Sequence, residues 1–66
     1  MRVRVWAESL DDASVCRIYA RLRAPSREHA EKVIEAWLAL PDDEQREATE
    51  RMRAELINIA KRAIRS

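Results

Sequence analysis

Residues 15–24 decide the fold of this chain, and they read Val15-Cys16-Arg17-Ile18-Tyr19-Ala20-Arg21-Leu22-Arg23-Ala24. Polar or aromatic side chains at 17, 19, 21 and 23 alternate here with apolar ones. A period of two places successive side chains on opposite faces of a β-strand. Because the alternation is nearly unbroken, we expect a strand over 15–24 with an apolar inner face.

The N-terminal residues alternate in the same way, with small apolar side chains at positions 3, 5 and 7. We therefore expect an antiparallel hairpin of strands 2–7 and 15–24, joined by the turn-forming residues 8–14. The outer face of this hairpin would be basic and aromatic, and it is the candidate binding face of the chain. Its members are Arg2, Arg4, Trp6, Arg17, Tyr19, Arg21 and Arg23.

Two helices are predicted after the hairpin, over 26–40 and 42–65. Ser26 is an N-cap candidate, and an apolar stripe with helical spacing follows it. The first helix ends before Pro41, because the residue before a proline disfavours helical geometry. Asp42 or Asp43 is expected to cap the second helix. The predicted fold class is α+β, with a two-stranded antiparallel hairpin packed on two helices (ββαα) in a single small domain over 1–66.

A competing interpretation makes residues 9–23 a helix capped by Ser9. Four apolar or aromatic residues also fit helical spacing; they are Val15, Ile18, Tyr19 and Leu22. The strand over 2–7 would then stand alone, and it would have to pair with the same strand of a second chain to satisfy its backbone.

In that second form the chain resembles ribbon-helix-helix DNA-binding dimers over about residues 2–38. The resemblance implies that Arg2, Arg4 and Trp6 belong to a strand that reads a DNA groove. It also implies that the segment from Ser26 to Leu38 is the second helix of that family. The glycine that usually lies between the two helices of the family is missing.

Composition excludes several classes of protein. The 66 residues include 13 basic and 12 acidic ones, for a net charge of +1, and no glycine. Without glycine the chain holds neither a P-loop nor a dinucleotide-binding fingerprint. One cysteine cannot form an internal disulfide, and no apolar run is long enough for a signal peptide or a membrane span. We expect a reduced, cytoplasmic and soluble protein that is neither secreted nor bound to a membrane.

Cys16 and His29 are the candidates for nucleophilic chemistry, and neither favours it. Cys16 falls on the predicted inner face and is expected to be a small core residue. His29 lies off the apolar stripe of its helix and is expected to be solvated. A single Cys and a single His cannot complete a zinc site without carboxylates from scattered positions. We expect no enzymatic activity, no cofactor and no metal.

The whole chain resembles de novo designed α+β miniproteins in style, because its helix surfaces are built from Glu, Arg, Lys and Ala and its helix starts are acidic. That resemblance implies a stable scaffold whose purpose is its fold or a protein-binding surface. No partner is required, although a protein partner or a homodimer fits. One alternative is a nucleic-acid-binding module that uses the arginine and aromatic face. Another is a small phage or bacterial protein, similar to an inhibitor or antitoxin, that acts by binding another protein.

Overall fold

In the computed structural model of this chain we describe the backbone of residues 2–65 and the side chains of residues 2–64. Four α-helices follow one another: α1 (Val3–Ser9), α2 (Asp12–Arg23), α3 (Arg27–Leu38) and α4 (Asp42–Arg65). Residues 2–65 contain no strand. The predicted α+β class, with its ββαα hairpin of strands 2–7 and 15–24, is therefore wrong, and the fold is a small helical bundle.

α1 replaces the first predicted strand. The apolar side chains at 3, 6, 7 and 10 have helical spacing, and Ala7 between them is completely buried. Local sequence supports this helix poorly, because Arg2 at the N-cap makes no side-chain hydrogen bond and no acidic residue lies in the first turn. α1 therefore depends on packing against α4 for its stability.

α2 replaces the second predicted strand. Val15, Cys16 and Ala20 are buried in it, whereas Leu22, expected on the inner face of the strand, is 55% exposed. Burial at 15, 16 and 20 does not follow a period of two, because α2 buries two sides, one toward α3 and one toward α4. The alternation of apolar and polar residues from 16 to 24 is therefore compatible with a helix, because α2 packs against both α3 and α4.

The helix in this region differs in its cap from the competing interpretation. The backbone N–H of Ser14 donates to Asp11 Oδ1 at 2.8 Å, so Asp11 caps α2. Ser9 ends α1 instead, and its hydroxyl donates to the Trp6 carbonyl at 2.6 Å. A capping aspartate explains why α2 begins at Asp12, because its carboxylate satisfies an N–H that the first turn leaves unpaired.

α3 and α4 lie where the sequence predicts helices. Ser26 caps α3, and its Oγ accepts from the backbone N–H of His29 at 3.2 Å. At the start of α4 the N–H of Gln45 donates to the Pro41 carbonyl at 2.8 Å, so Pro41 directly precedes the first turn. The acidic residues at 42–44 lie within that turn rather than at the cap position expected for 42 or 43, and the helix dipole favours their charge there.

The packing order places α2 between α3 and α4, with α1 against α4. The thinnest extent of the bundle is 13 Å between Cα atoms, which corresponds to two layers of helices at the usual spacing. Few side chains can be covered on all sides in such a flat molecule. The buried ones are Ala7, Val15, Cys16, Ala20, Ala30, Trp37, Thr49 and Leu56.

A closed set of hydrogen bonds joins the end of α3 to the start of α4. Trp37 Nε1 donates to Thr49 Oγ1 at 2.9 Å, and the Thr49 hydroxyl donates to the Gln45 carbonyl at 2.7 Å. Gln45 Nε2 in turn donates to the Trp37 carbonyl at 3.1 Å. Each buried polar group in this corner has a partner, so the network holds the two helices in one relative position.

Candidate functional site

The predicted binding face does not exist as one surface. Arg2 precedes α1, Arg4 and Trp6 lie on α1, and the other four members lie on α2. Residues 17, 19, 21 and 23 would share one face of a strand, but a helix turns by about 100° per residue and separates them into two pairs. Arg17 and Arg21 form one pair, and Tyr19 and Arg23 form the other.

Arg17 and Arg21 stand one helical turn apart on the solvent side of α2, and both are exposed. We call this pair the arginine ridge. A groove lies on each side of it, and both arginines line both grooves.

The larger groove, between α2 and α3, is an open cleft of about 630 Å³. Arg27 and Ser26 line it beside the ridge, and Ala24, Ala30 and Ile34 supply its apolar surface. The smaller groove has a volume of about 270 Å³, and Leu10, Ser14 and Ile18 line it beside the ridge. Cationic groups therefore stand between two partly apolar clefts.

Neither Arg17 nor Arg21 takes part in an ion pair within the part of the chain that the structure describes. Glu31 is the acidic residue that lines the larger groove, and its Oε1 lies 3.8 Å from Arg27 Nε. The positive charge of Arg17 acts on Asp11, the N-cap of α2. A hydrogen bond from Ser14 lowers the pKa of Asp11 most, and the positive charge of Arg17 lowers that pKa further.

Tyr19 and Arg23 lie on the opposite side of α2 from the arginine ridge, and both contact Glu55 of α4. Arg23 Nη2 lies 3.5 Å from Glu55 Oε2. A hydrogen bond with Glu55, followed by burial, raises the pKa of the Tyr19 phenol. These two predicted site residues therefore help to join α2 to α4, and they do not extend the arginine ridge.

Arg2, Arg4 and Trp6 are also separate from the ridge. Arg2 and Arg4 are exposed beside α1, and Trp6 is half-buried. The seven predicted residues thus do not form one face, and two of them, Arg17 and Arg21, share a site. Sequence reasoning missed Arg27, whose position beside the groove follows from the α2–α3 packing and from no local pattern.

Cys16 and His29 lie apart from the grooves. The Cys16 side chain is 1% exposed, and burial raises the pKa of its thiol. A buried thiol with a raised pKa holds little thiolate, the form that attacks substrates. His29 is exposed on the first turn of α3.

Between residues 2 and 65 no helix has both the length and the apolar character needed to cross a bilayer. The same residues contain no group of three His, Cys, Asp or Glu side chains placed to hold a metal ion. In comparisons with family models, with curated proteins and with solved structures, the chain has no match.

Proposed function

We propose that this chain is a small non-catalytic binding module, and that the arginine ridge binds an acidic, amphipathic segment of another protein. The observation that carries this proposal is the position of Arg17 and Arg21 between two partly apolar grooves with no carboxylate paired to either. Exposed arginines on a rigid helix suit carboxylates because the guanidinium can donate two parallel hydrogen bonds.

The grooves favour a protein ligand over a nucleic acid. The apolar parts of the grooves, such as Ile18 and Ile34, can cover apolar side chains of a partner, and a phosphate backbone has no such groups. A nucleic-acid-binding domain usually has a strongly basic charge, and the net charge here is +1.

An amphipathic helix can present acidic side chains to the arginine ridge and apolar side chains to the two grooves. Two Glu side chains spaced by one turn would match the spacing of Arg17 and Arg21, and Leu side chains on the flanks would enter the two grooves. A charge-assisted hydrogen bond contributes about 1.5–3 kcal/mol. Loss of both arginines should therefore weaken such a complex by at least tenfold, because about 1.4 kcal/mol corresponds to a factor of ten.

Titration by two-dimensional NMR tests the proposal. The probe is a synthetic helical peptide with Glu at i and i+4 and Leu at i+1 and i+3, which places one Leu on each side of the Glu pair. Its comparison is a peptide of the same composition in scrambled order. We expect saturable shifts confined to α2 and the first half of α3 with the first peptide alone. The double variant Arg17→Ala/Arg21→Ala should lose them.

Controls separate this result from general attraction between charges. The double variant Arg46→Ala/Arg62→Ala removes two exposed arginines elsewhere and should bind as the wild type does. A single-stranded oligonucleotide serves as the third ligand. Tighter binding of the oligonucleotide than of the peptide, abolished by Arg17→Ala/Arg21→Ala, would replace the proposal with the nucleic-acid function. Equal effects of the two double variants would contradict any special role for the ridge.

A further inference from the structure

The chain exposes more surface than a globular monomer of its mass. A 7.7 kDa monomer is expected to expose about 4,300 Å², whereas this chain exposes 5259 Å². The radius of gyration is 12.0 Å, against about 11 Å for a compact domain of this length. The excess of roughly 960 Å² is similar in size to the 800 Å² or so that each partner contributes to a standard protein interface.

α4 supplies part of this excess. It has 24 residues, twice as many as α2 or α3, and its last fully buried side chain is Leu56. Four consecutive residues, 61–64, are exposed, so a whole helical turn lies uncovered on every side. Ile64 in that turn is 67% exposed.

A stripe with the spacing of a coiled coil runs along the outer side of α4. Its residues recur at alternating intervals of three and four, the heptad spacing that keeps side chains on one seam. Ile57 in this stripe is half-buried, and the other members are exposed. The α4 stripe consists of Glu47, Glu50, Ala54, Ile57, Lys61 and Ile64.

We propose that α4 pairs antiparallel with α4 of a second copy of this chain through the α4 stripe. The intervals between the stripe residues are the same from the N-terminal end as from the C-terminal end. A two-fold axis between Ala54 and Ile57 therefore superposes the stripe of one copy on that of the other. In that register Ala54 faces Ile57 of the second copy, and Glu50 faces Lys61. Ile64 faces Glu47, whose carboxylate lies 3.6 Å from Arg51 of its own chain. Two-fold symmetry forms each contact twice.

The charges along α4 favour the antiparallel direction. Acidic residues predominate from 42 to 50, and basic residues predominate from 51 to 65. Among the groups near the stripe, Arg51 is paired with Glu47 of its own chain at 3.6 Å. Arg53 and Glu55 are bound within the bundle. A parallel pair would place Glu50 against Glu50 and Lys61 against Lys61, which like charges disfavour.

Sedimentation equilibrium with charge-reversal variants tests this inference. In a two-fold dimer, Glu50→Lys and Lys61→Glu each place two pairs of like charges in contact. We expect each single variant to raise the dimer dissociation constant by at least tenfold. The double variant Glu50→Lys/Lys61→Glu restores both pairs and should return the constant to within about threefold of the wild-type value. Glu35→Lys on α3 is the matched control and should leave dimerisation unchanged.

Two results would overturn the inference. One is a wild-type protein that remains monomeric at millimolar concentration and low salt. The other is a dimer that the double variant fails to restore although circular dichroism shows that the variant is folded. The arginine ridge lies on α2, so the peptide titration can succeed or fail independently of these outcomes.

Discussion

The guanidinium of Arg53 on α4 binds Asp12 at the start of α2, with Arg53 Nη2 donating to Asp12 Oδ1 at 3.1 Å. The same side chain donates through Nη1 to the carbonyls of Ala7 and Leu10, the latter at 2.9 Å. These carbonyls lie at the end of α1. The Ala7 carbonyl also accepts from the Leu10 N–H at 3.4 Å, whereas the Leu10 carbonyl lies beyond the last turn of the helix. Arg53 therefore holds the α1–α2 connection against α4, and its side chain is 21% exposed.

Replacement of Arg53 should release α1 first. We expect Arg53→Ala to lower the free energy of unfolding by about 1–3 kcal/mol, because it removes the Arg53 donor from the part-buried Leu10 carbonyl. Amides of α1 should exchange with solvent faster than those of α2 in native-state hydrogen exchange. Arg53→Lys is the sharper comparison, because it retains the charge and loses the forked donor geometry.

A role for Arg53 that is electrostatic alone would give a different pattern. Arg53→Lys would then behave as the wild type, and exchange in α1 and α2 would rise together. Arg51→Ala is the matched control, since Arg51 is exposed and makes an i,i+4 pair with Glu47. Pairs of that kind contribute about 0.3–0.5 kcal/mol.

The hydrogen bond between Trp37 and Thr49 makes a second stability prediction. Thr49 is 2% exposed, so Thr49→Val keeps its volume and leaves the buried indole N–H without an acceptor. We expect a loss of about 1–3 kcal/mol of unfolding free energy by urea denaturation. Thr49→Ser retains the hydroxyl and should lose less.

A double-mutant cycle identifies the contact behind that loss. Trp37→Phe removes the donor, so Thr49→Val should destabilise a Trp37→Phe background less than it destabilises the wild type. Equal effects of Thr49→Val in both backgrounds would assign the loss to the bond between Thr49 and the Gln45 carbonyl and not to the indole.

Tyr19 predicts how stability depends on high pH. The hydrogen bond with Glu55, followed by burial, raises the pKa of the phenol above 10.0 in the folded state. A group with a raised folded-state pKa contributes stability below its unfolded pKa, and that contribution is lost as pH rises through the folded value. Stability should therefore fall as pH rises above about 10, and less so in Tyr19→Phe.

The pKa of Tyr19 can be measured directly, because Tyr19 is the single tyrosine of the sequence. Ultraviolet absorbance of tyrosinate near 295 nm reports the pKa of Tyr19 in the folded protein. Glu55→Gln removes the neighbouring charge and should bring that pKa down toward its ordinary value. A Tyr19 pKa that Glu55→Gln leaves unchanged would show that the two side chains do not interact.

Asp11 makes the corresponding prediction at low pH. Its pKa is lowered, chiefly by the hydrogen bond from Ser14, so the cap contributes stability above the unfolded pKa and loses it as pH falls through the folded value. Acid unfolding followed by circular dichroism should show this change below about pH 4. Asp11→Asn keeps a side-chain acceptor for the cap, so it should remove the part of the pH dependence that Asp11 contributes while it retains helicity.

Sequence reasoning could predict the second half of the fold because its local signals agree with one another. Ser26 is a cap in sequence and in structure, and Pro41 separates the two long helices in both. In these helices the apolar spacing fits the helical period alone.

The fold of residues 2–24 could not be predicted as securely. Its apolar residues fit both the period of two of a strand and the period of 3.6 of a helix. Ile18 and Leu22 belong to the alternating set and to the helical set alike. Val15, which is completely buried, is the residue that distinguishes them, since it continues the helical set and interrupts the alternation. The choice between strand and helix is made by packing against α3 and α4, which no local pattern contains.

The candidate site, like the fold, could be predicted only in part. Arg17 and Arg21 share a face in a strand and in a helix, because residues four apart do so in both. Tyr19 and Arg23 share that face in a strand alone. Arg27 and Arg53 are long-range contributions, and a single sequence shows no sign of the elements that they join.

The helical state of residues 15–23 is the central claim, because it places Arg17 and Arg21 on one ridge and turns Tyr19 toward Glu55. NMR assignment of this segment tests the claim most directly. We predict Cα shifts characteristic of a helix throughout 15–23, with nuclear Overhauser contacts from each Hα to the amide three residues later. Extended-type shifts, with contacts between residues 15–24 and residues 2–7 across a ladder, would contradict it.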